Sequence, residues 1–313
     1  MRYGPPDASL APRYTGLRSF ARCPHTDDLE GVDVAIVGVP FDTATSFRTG
    51  ARFGPEAIRA ASLTLRPWHP VHGLDVFAGR STVDRGDVVV TPGNAERTAG
   101  QIAEALEVVV AAGVRPVVLG GDHSIVLGEL RAQAAVHGPV GLVLLDAHAD
   151  VWDSYYGERY FHGTPFRRAC EEGLLAPERS LLAGMRGSLY GPGDAALPQE
   201  LGFEVIDGDD LAALTPAQYG ARVRSRVGDG PLFLSFDIDV LDPAYAPATG
   251  TPEVAGLTGR EAVAFVRALA GLRFGGFDLV EVSPPYDPVG APTALLAANL
   301  VHEFLALDAL AGR

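Results

Sequence analysis

The stretch Val140-Gly-Leu-Val-Leu-Leu-Asp-Ala-His-Ala-Asp150 joins an apolar strand to two carboxylates and an imidazole. A second stretch, Leu232-Phe-Leu-Ser-Phe-Asp-Ile-Asp239, ends in the same way with two more carboxylates. Because successive side chains of a strand alternate between its sides, the polar groups of each stretch are predicted to face one way. Grouped carboxylates repel one another unless a cation lies between them. The stretches predict a metal centre, better suited to two divalent ions than to one, with the candidate ligands Asp146, His148, Asp150, Asp237 and Asp239.

A third motif, Gly120-Gly-Asp-His-Ser124, follows an apolar strand and opens a helix. Its glycines permit a tight turn, which would bring His123 to the same rim as the carboxylates. Taken alone, an aspartate at a strand end is more often a helix cap, and a histidine is more often a core or surface residue. The combination instead indicates a site for Mn(II), or for Zn(II), Fe(II), Co(II) or Ni(II). The lack of cysteine ligands disfavours a structural zinc site.

Strand-like and helix-like segments alternate along the chain. About eight apolar strands separated by helices favour one mostly parallel sheet covered on both faces, an α/β three-layer sandwich. Residues 1–313 are predicted to form a single domain, with 1–31 as an N-terminal extension packed on it. The predicted strands are 32–39, 87–90, 116–119, 140–145, 181–183, 203–206, 232–236 and 277–282. The predicted helices are 56–63, 94–112, 125–137, 216–227, 258–269 and 293–310.

The composition excludes several classes of function. The net charge of −14 argues against a nucleic-acid-binding surface. All 25 basic residues are arginine, which excludes Schiff-base, pyridoxal-phosphate and P-loop lysine chemistry. The cysteines, Cys23 and Cys170, have no metal or redox spacing, which favours a reducing, cytoplasmic location. We expect no signal peptide and no membrane span, since no apolar run approaches the roughly 20 residues that a spanning helix needs.

The three motifs resemble the signature segments of the ureohydrolases, the arginase and agmatinase family, which hydrolyse a guanidino group to urea and an amine. The signature segment that contains Asp237 and Asp239 reads Ser235-Phe-Asp-Ile-Asp-Val-Leu-Asp-Pro243 in this chain. The resemblance runs from about Val32 to the C-terminal helix. Supporting segments are Ser46-Phe-Arg-Thr-Gly-Ala-Arg-Phe-Gly-Pro55, His162-Gly-Thr-Pro-Phe-Arg-Arg168, Thr249-Gly-Thr-Pro252 and Asp278-Leu-Val-Glu-Val282.

The resemblance implies an arginase-like fold and two Mn(II) per subunit, in homotrimers or homohexamers. One ion is expected on His123, Asp146, Asp150 and Asp237. The other is expected on Asp146, His148, Asp237 and Asp239. Asp146 and Asp237 would then bridge the two ions.

The resemblance also implies roles in catalysis. A hydroxide that bridges the metals is expected to attack the guanidinium carbon, and Asp150 to move a proton to the departing amine. His162 matches the histidine that shuttles protons with solvent. Glu281 matches the glutamate that binds the guanidinium, a planar group that pairs well with a carboxylate through two parallel hydrogen bonds. Thr251 is expected to add a substrate contact.

The segments after Asp150 bear on the rest of the substrate. The arginases hold their substrate's α-amino acid end with Asn and Ser residues at this point, whereas this chain has Val151-Trp-Asp-Ser-Tyr-Tyr156, so arginine is disfavoured. The segment His162-Gly-Thr-Pro-Phe-Arg-Arg-Ala-Cys-Glu-Glu-Gly-Leu-Leu175 resembles the agmatinase branch. Tyr155 and Tyr156 are predicted to contact the substrate tail.

The expected reaction is agmatine to putrescine and urea. The alternatives within the family are a guanidino acid hydrolase, acting on 4-guanidinobutyrate or 3-guanidinopropionate, and an amidinohydrolase acting on a larger biosynthetic intermediate. Two other classes are disfavoured because all the motif ligands are present. These are a mononuclear zinc deacylase of the same fold and a non-enzymatic binding relative.

Overall fold

Eight parallel strands form one central sheet in the computed structural model, which describes residues 2–312. The strands are β1 Val34–Val39, β2 Trp68–His69, β3 Leu74–Asp75, β4 Thr82–Asp87, β5 Arg115–Gly120, β6 Gly141–Leu145, β7 Leu181–Met185, β8 Glu204–Asp207, β9 Leu232–Asp237 and β10 Phe274–Val280. The sheet order is β4-β1-β5-β10-β9-β6-β7-β8, while β2 and β3 pair as a separate antiparallel ribbon. The predicted α/β class and mostly parallel sheet are confirmed.

Helices cover both faces of the sheet, because its central strands are apolar on both sides and must be buried on both. Every residue of β6 and β9 is buried. The α-helices within residues 2–312 are α1 Gly54–Ser62, α2 Ala95–Ala111, α3 Val126–His137, α4 Pro165–Glu171, α5 Pro192–Glu200, α6 Gly208–Ala213, α7 Pro216–Val227, α8 Gly259–Arg267 and α9 Pro292–Ala311.

Four adjacent strands, β5, β10, β9 and β6, bring the polar motifs to one rim of the sheet. Ligand sites of parallel sheets lie at the carboxyl ends of the strands, and each of these four strands ends at a motif. Gly121 permits the turn after β5, because a Cβ there would collide with the carbonyl oxygens of Val39 and Phe41. The topology therefore gathers residues that are far apart in the sequence.

The predicted strand at 87–90 is wrong. The strand in this region, β4, ends at Asp87, and Val89 is 76% exposed. Consecutive valines suggested a strand there, but the segment that pairs with β1 is Thr82–Asp87, whose first three residues are buried. The sequence reading also missed the β2–β3 ribbon and helices α4, α5 and α6, which are short, and α5 contains Pro198.

Helix α9 corrects the expectation that no apolar segment is long enough to cross a membrane. It spans Pro292–Ala311, and its length and composition alone would allow it to do so. Most of it is buried inside the protein, where it packs against α1, α8 and β10. A core helix of a large α/β domain has the same composition.

The N-terminal segment contacts the edge of the sheet. The backbone N–H of Phe20, a buried residue, donates to Asp84 on β4, and the backbone N–H of Arg2 donates to Ser81. The two ends of the predicted domain, residues 1 and 313, lie outside the described residues.

Candidate metal centre and active site

Three carboxylates surround one ring nitrogen of His123. Its Nδ1 lies 3.0 Å from Asp146 Oδ2, 2.9 Å from Asp150 Oδ2 and 3.3 Å from Asp237 Oδ2. The His123 and Asp146 side chains are fully buried, and neither His123 Nδ1 nor Asp146 Oδ2 has a partner in hydrogen-bonding geometry. One ring nitrogen has a single proton or a single lone pair, so it cannot satisfy three carboxylates. A cation between these oxygens and the nitrogen would satisfy them all.

A second cluster adjoins the first and shares Asp146 with it. His148 Nδ1 lies 3.0 Å from Asp239 Oδ2 and 3.6 Å from Asp146 Oδ1. The ligand atoms of His123, Asp146 and Asp150 lie close enough together to hold one ion, and so do those of Asp146, His148 and Asp239. The structure thus brings together the six predicted ligands, His123, Asp146, His148, Asp150, Asp237 and Asp239.

The acid–base properties of these groups also suit a cation. Burial and the neighbouring Asp239 and Asp146 raise the pKa of Asp237 well above its usual value. Burial lowers the pKa of His123, but its carboxylate partners outweigh burial and raise it well above the usual range. Burial likewise raises the pKa of Asp146, but His123 and His148 outweigh it and hold that pKa below its usual value. Protons therefore occupy the place that divalent ions would take.

A hydrogen-bond relay behind the centre orients His123. Its Nε2 lies 2.9 Å from Ser235 Oγ, and that hydroxyl donates to Asp278 at 2.8 Å. Since the Ser235 proton points to Asp278, the hydroxyl accepts from His123 Nε2–H, so in the neutral ring the lone pair is on Nδ1, where it can bind a metal. Neither Ser235 nor Asp278 is among the site residues predicted from the sequence. The available signal was a polar side chain inside an apolar strand in each case.

Glu281 and His162 lie beside the centre. Glu281 Oε1 accepts the backbone N–H of His123 at 2.9 Å and lies 3.0 Å from His162 Nδ1. Glu281 Oε2 is buried without a hydrogen-bond partner among residues 2–312. Glu281 and Asp150 both have positive φ, 63° and 51°, a strained conformation for residues other than glycine. Such strain concentrates at functional sites, where the surrounding structure fixes a side chain in place.

The comparisons with known proteins agree with this geometry. Residues 32–307 match the arginase family. The chain belongs to this family. It is 47% identical to the mitochondrial agmatinase of Gallus gallus, over 96% of this chain and 88% of that protein. It is 46% identical to the mitochondrial guanidino acid hydrolase of Homo sapiens, over 97% of this chain and 86% of that protein.

A solved structure is also similar, the proclavaminate amidino hydrolase of Streptomyces clavuligerus. Its TM-score is 0.92 at 39% identity, and the match covers 96% of this chain and all of that one. The predicted family, arginase-like fold and enzyme class are confirmed, and the chain is an arginase-family hydrolase of guanidino C–N bonds. This excludes the deacylase and the non-enzymatic relative.

A cleft of about 1120 Å³ leads to the centre of this arginase-family protein. Tyr155 lines it, with its ring stacked on Trp152 at 5.0 Å and its hydroxyl 2.7 Å from that of Tyr190. Tyr156 also lines the cleft but is 75% exposed. Thr251 lines the cleft too, with its hydroxyl 3.4 Å from Asp239 Oδ2. Trp152 and Tyr190 are not among the site residues predicted from the sequence, and Tyr190 lies on a different loop.

Charged side chains of the cleft wall have unequal freedom to bind a ligand. Arg186 is held by backbone carbonyls, including those of Asp239, Leu241 and Val254. Arg48 instead lies over the rings of Tyr286 and Phe47 and pairs with no carboxylate among the described residues. The acidic residues of the wall outside the metal centre are Asp194, Asp207, Asp210 and Glu253.

Proposed function

We propose that the protein hydrolyses agmatine to putrescine and urea at a centre of two Mn(II) ions. The observation that carries the choice of agmatine is the charge of the cleft wall. Beyond the metal ligands the wall has four carboxylates and two arginines, and one of those arginines, Arg186, is already saturated by carbonyl groups. An ammonium tail is favoured by such a wall, and by the aromatic rings of Trp152 and Tyr155.

The ligand chemistry supports the metals. Four carboxylates and two imidazoles offer hard oxygen and intermediate nitrogen donors, a set that suits Mn(II). His123, Asp146, Asp150 and Asp237 would hold one ion, and Asp146, His148, Asp237 and Asp239 would hold the other. His123 Nδ1 and Asp146 Oδ2 are buried and have no hydrogen-bond partner among residues 2–312. Both fit such ions, because a cation would bind the nitrogen and the carboxylate oxygens together. Ions bound there lower the pKa of water and supply hydroxide at neutral pH.

The protein's own groups bind the substrate and handle its protons. Glu281 Oε2, buried and without a partner, receives a guanidinium N–H. Asp150, which lies beside the expected position of the hydroxide, gives a proton to the departing amine. His162 replaces the proton that Asp150 has given. Thr251 and Tyr155 contact the substrate along the cleft, and Tyr156 lies at its rim.

A guanidino acid is the second candidate, and Arg48 is the observation that favours it. Its guanidinium lines the cleft without a carboxylate partner among residues 2–312, so it can bind a carboxylate tail. The names of the relatives divide between the two substrates, since one is an agmatinase and another a guanidino acid hydrolase.

A substrate panel with two matched variants tests the choice. Urea release is measured from agmatine, 4-guanidinobutyrate, 3-guanidinopropionate and arginine. We expect the largest kcat/KM for agmatine, with Glu253→Gln raising the KM for agmatine and Arg48→Gln leaving it nearly unchanged. A guanidino acid preferred by tenfold or more, together with a KM for that acid raised by Arg48→Gln, would replace agmatine with the second candidate.

A further inference from the structure

We infer that Ser46 is a positioning residue that passes protons between His162 and water in the cleft. His162 is only 9% exposed, and both of its ring nitrogens are in contact with protein groups. Nδ1 faces Glu281 at 3.0 Å, and Nε2 faces the hydroxyl of Ser46 at 2.8 Å. Ser46 is half-buried and lines the same cleft as His162, so its hydroxyl can connect the imidazole to water in the cleft.

The backbone of Ser46 fixes which tautomer of His162 is present when the ring is neutral. The N–H of Ser46 lies 3.0 Å from His162 Nε2, and a backbone N–H can only donate. Nε2 therefore accepts, and the single ring proton lies on Nδ1, where it is donated to Glu281. In this state the Ser46 hydroxyl and the backbone N–H share the one lone pair of Nε2.

The protonated ring of His162 depends on the Ser46 hydroxyl more than the neutral ring does. An imidazolium carries a proton on both nitrogens, so its Nε2–H requires an acceptor. The backbone N–H of Ser46 cannot accept, but the hydroxyl oxygen can. Ser46 Oγ is thus the contact of Nε2 that serves both protonation states, as a donor to the neutral ring and as an acceptor from the charged one.

The proton transfer balances without any further reactant. The imidazolium Nε2–H passes its proton to Ser46 Oγ while the hydroxyl proton of Ser46 moves to a water in the cleft. The hydroxyl keeps one proton, the ring becomes neutral and the water becomes hydronium. The reverse sequence reloads His162 from solvent. In this scheme Ser46 acts only through His162 and does not contact the reacting atoms.

Backbone hydrogen bonds hold the Ser46 segment in register with its partners. The N–H of His162 donates to the carbonyl of Ala44 at 3.1 Å, and the N–H of Arg48 donates to that of Gly250 at 3.4 Å. Replacing the side chain of Ser46 leaves these contacts and the N–H to His162 in place. A Ser46→Ala variant therefore removes the relay and retains the position of the loop.

The test compares Ser46→Ala and Ser46→Thr with Ser188→Ala, a serine of the same cleft without a contact to His162. We expect Ser46→Ala to lower kcat by about 10-fold, less than the roughly 10²–10⁴-fold typical for loss of a group that itself transfers the proton, because His162 remains in place. KM and metal content should be unchanged, and the pH profile of kcat should shift. Imidazole buffer at rising concentration should restore turnover, because a mobile acid–base replaces the missing hydroxyl. Ser46→Thr, which keeps a hydroxyl, should remain within about 3-fold of the parent.

The inference rests on the proposed proton role of His162 and not on the identity of the substrate tail, so whichever guanidino compound turns over best is used. A Ser46→Ala enzyme that matches Ser188→Ala at all pH values, or a slow one that imidazole does not restore, overturns the relay. His162→Asn separates the two claims. If that variant turns over like the parent, the role of His162 itself fails; if it is slow while Ser46→Ala is not, only the relay fails.

Discussion

Glu281 Oε1 lies 3.0 Å from His162 Nδ1, and the same oxygen accepts the backbone N–H of His123. Both lone pairs of Oε1 are thereby used, whereas Oε2 is buried with no partner among residues 2–312. A guanidinium bound here is expected to contact Oε2 alone, and not both oxygens as the sequence suggested. The carboxylate would then have two functions, one oxygen for the protein and the other for the substrate.

Glu281→Gln separates these two functions. The amide carbonyl can still accept at the Oε1 position, but an NH2 group then faces the substrate cation. We expect kcat/KM to fall by about 100-fold or more, the size typical for the loss of one preorganised electrostatic contact in an active site. Metal content, measured by elemental analysis, should stay at the parent level because Glu281 is not among the predicted ligands. Loss of metal in this variant would contradict its assignment to the substrate.

The metal centre was largely predictable from the sequence, because its ligands are polar residues at the ends of apolar strands. Such residues are rare enough to be noticed, and parallel strands bring their carboxyl ends to one rim. The partner of His162 was not predictable in this way. Ser46 and His162 are 116 residues apart, and they meet only because two loops pack together. The stack of Trp152 and Tyr155 against Tyr190 has the same origin.

The errors in secondary structure have a local cause. Val88, Val89 and Val90 have high β-propensity, but the neighbouring strand β1 pairs with the less apolar segment before them. Helix α6 is short, and it begins where Asp207 accepts the N–H of Asp210. A helix of six residues is too short to show hydrophobic periodicity, since periodicity needs about two turns to appear.

Asp237→Asn should strip the metals. Asp237 is 2% exposed, and its Oδ2 lies 3.3 Å from His123 Nδ1, so its charge would offset that of the proposed ions. A neutral amide removes one of the two proposed bridging ligands, and we expect both metal content and turnover to be lost. Asp242→Asn is the matched control, because Asp242 follows the same strand but accepts backbone N–H groups, among them those of Ala244 and Gly256, and is not a predicted ligand. Equal metal content in the two variants would refute the bridging role.

Metal affinity should rise with pH. Carboxylate partners raise the pKa of His123 in the metal-free protein, and burial raises that of Asp237, so protons must leave before ions bind. Each proton released makes the apparent affinity rise by about 10-fold per pH unit below the pKa concerned. Titration of metal-free protein with Mn(II) at pH 6 and pH 8, at constant ionic strength, should therefore give tighter binding at pH 8. Affinity independent of pH would mean that these groups are not the ligands.

Ser235→Ala tests whether the relay to Asp278 sets the metal affinity of His123. Without the Ser235 hydroxyl, Nε2 of His123 loses its hydrogen-bond acceptor at 2.9 Å, and the ring is free to turn or to change tautomer. Loss of such a supporting contact typically weakens metal binding by 10- to 100-fold, and we expect a decrease of about that size in Mn(II) affinity. Ser235→Thr, which keeps the hydroxyl, should bind metal more tightly than Ser235→Ala.

The unfolding temperature of the metal-free Ser235→Ala protein provides the control. A general packing defect at this buried position would lower that temperature, whereas loss of the relay alone would appear only in the metal titration. A variant that binds Mn(II) as tightly as the parent would show that Asp278 does not act on the centre through Ser235.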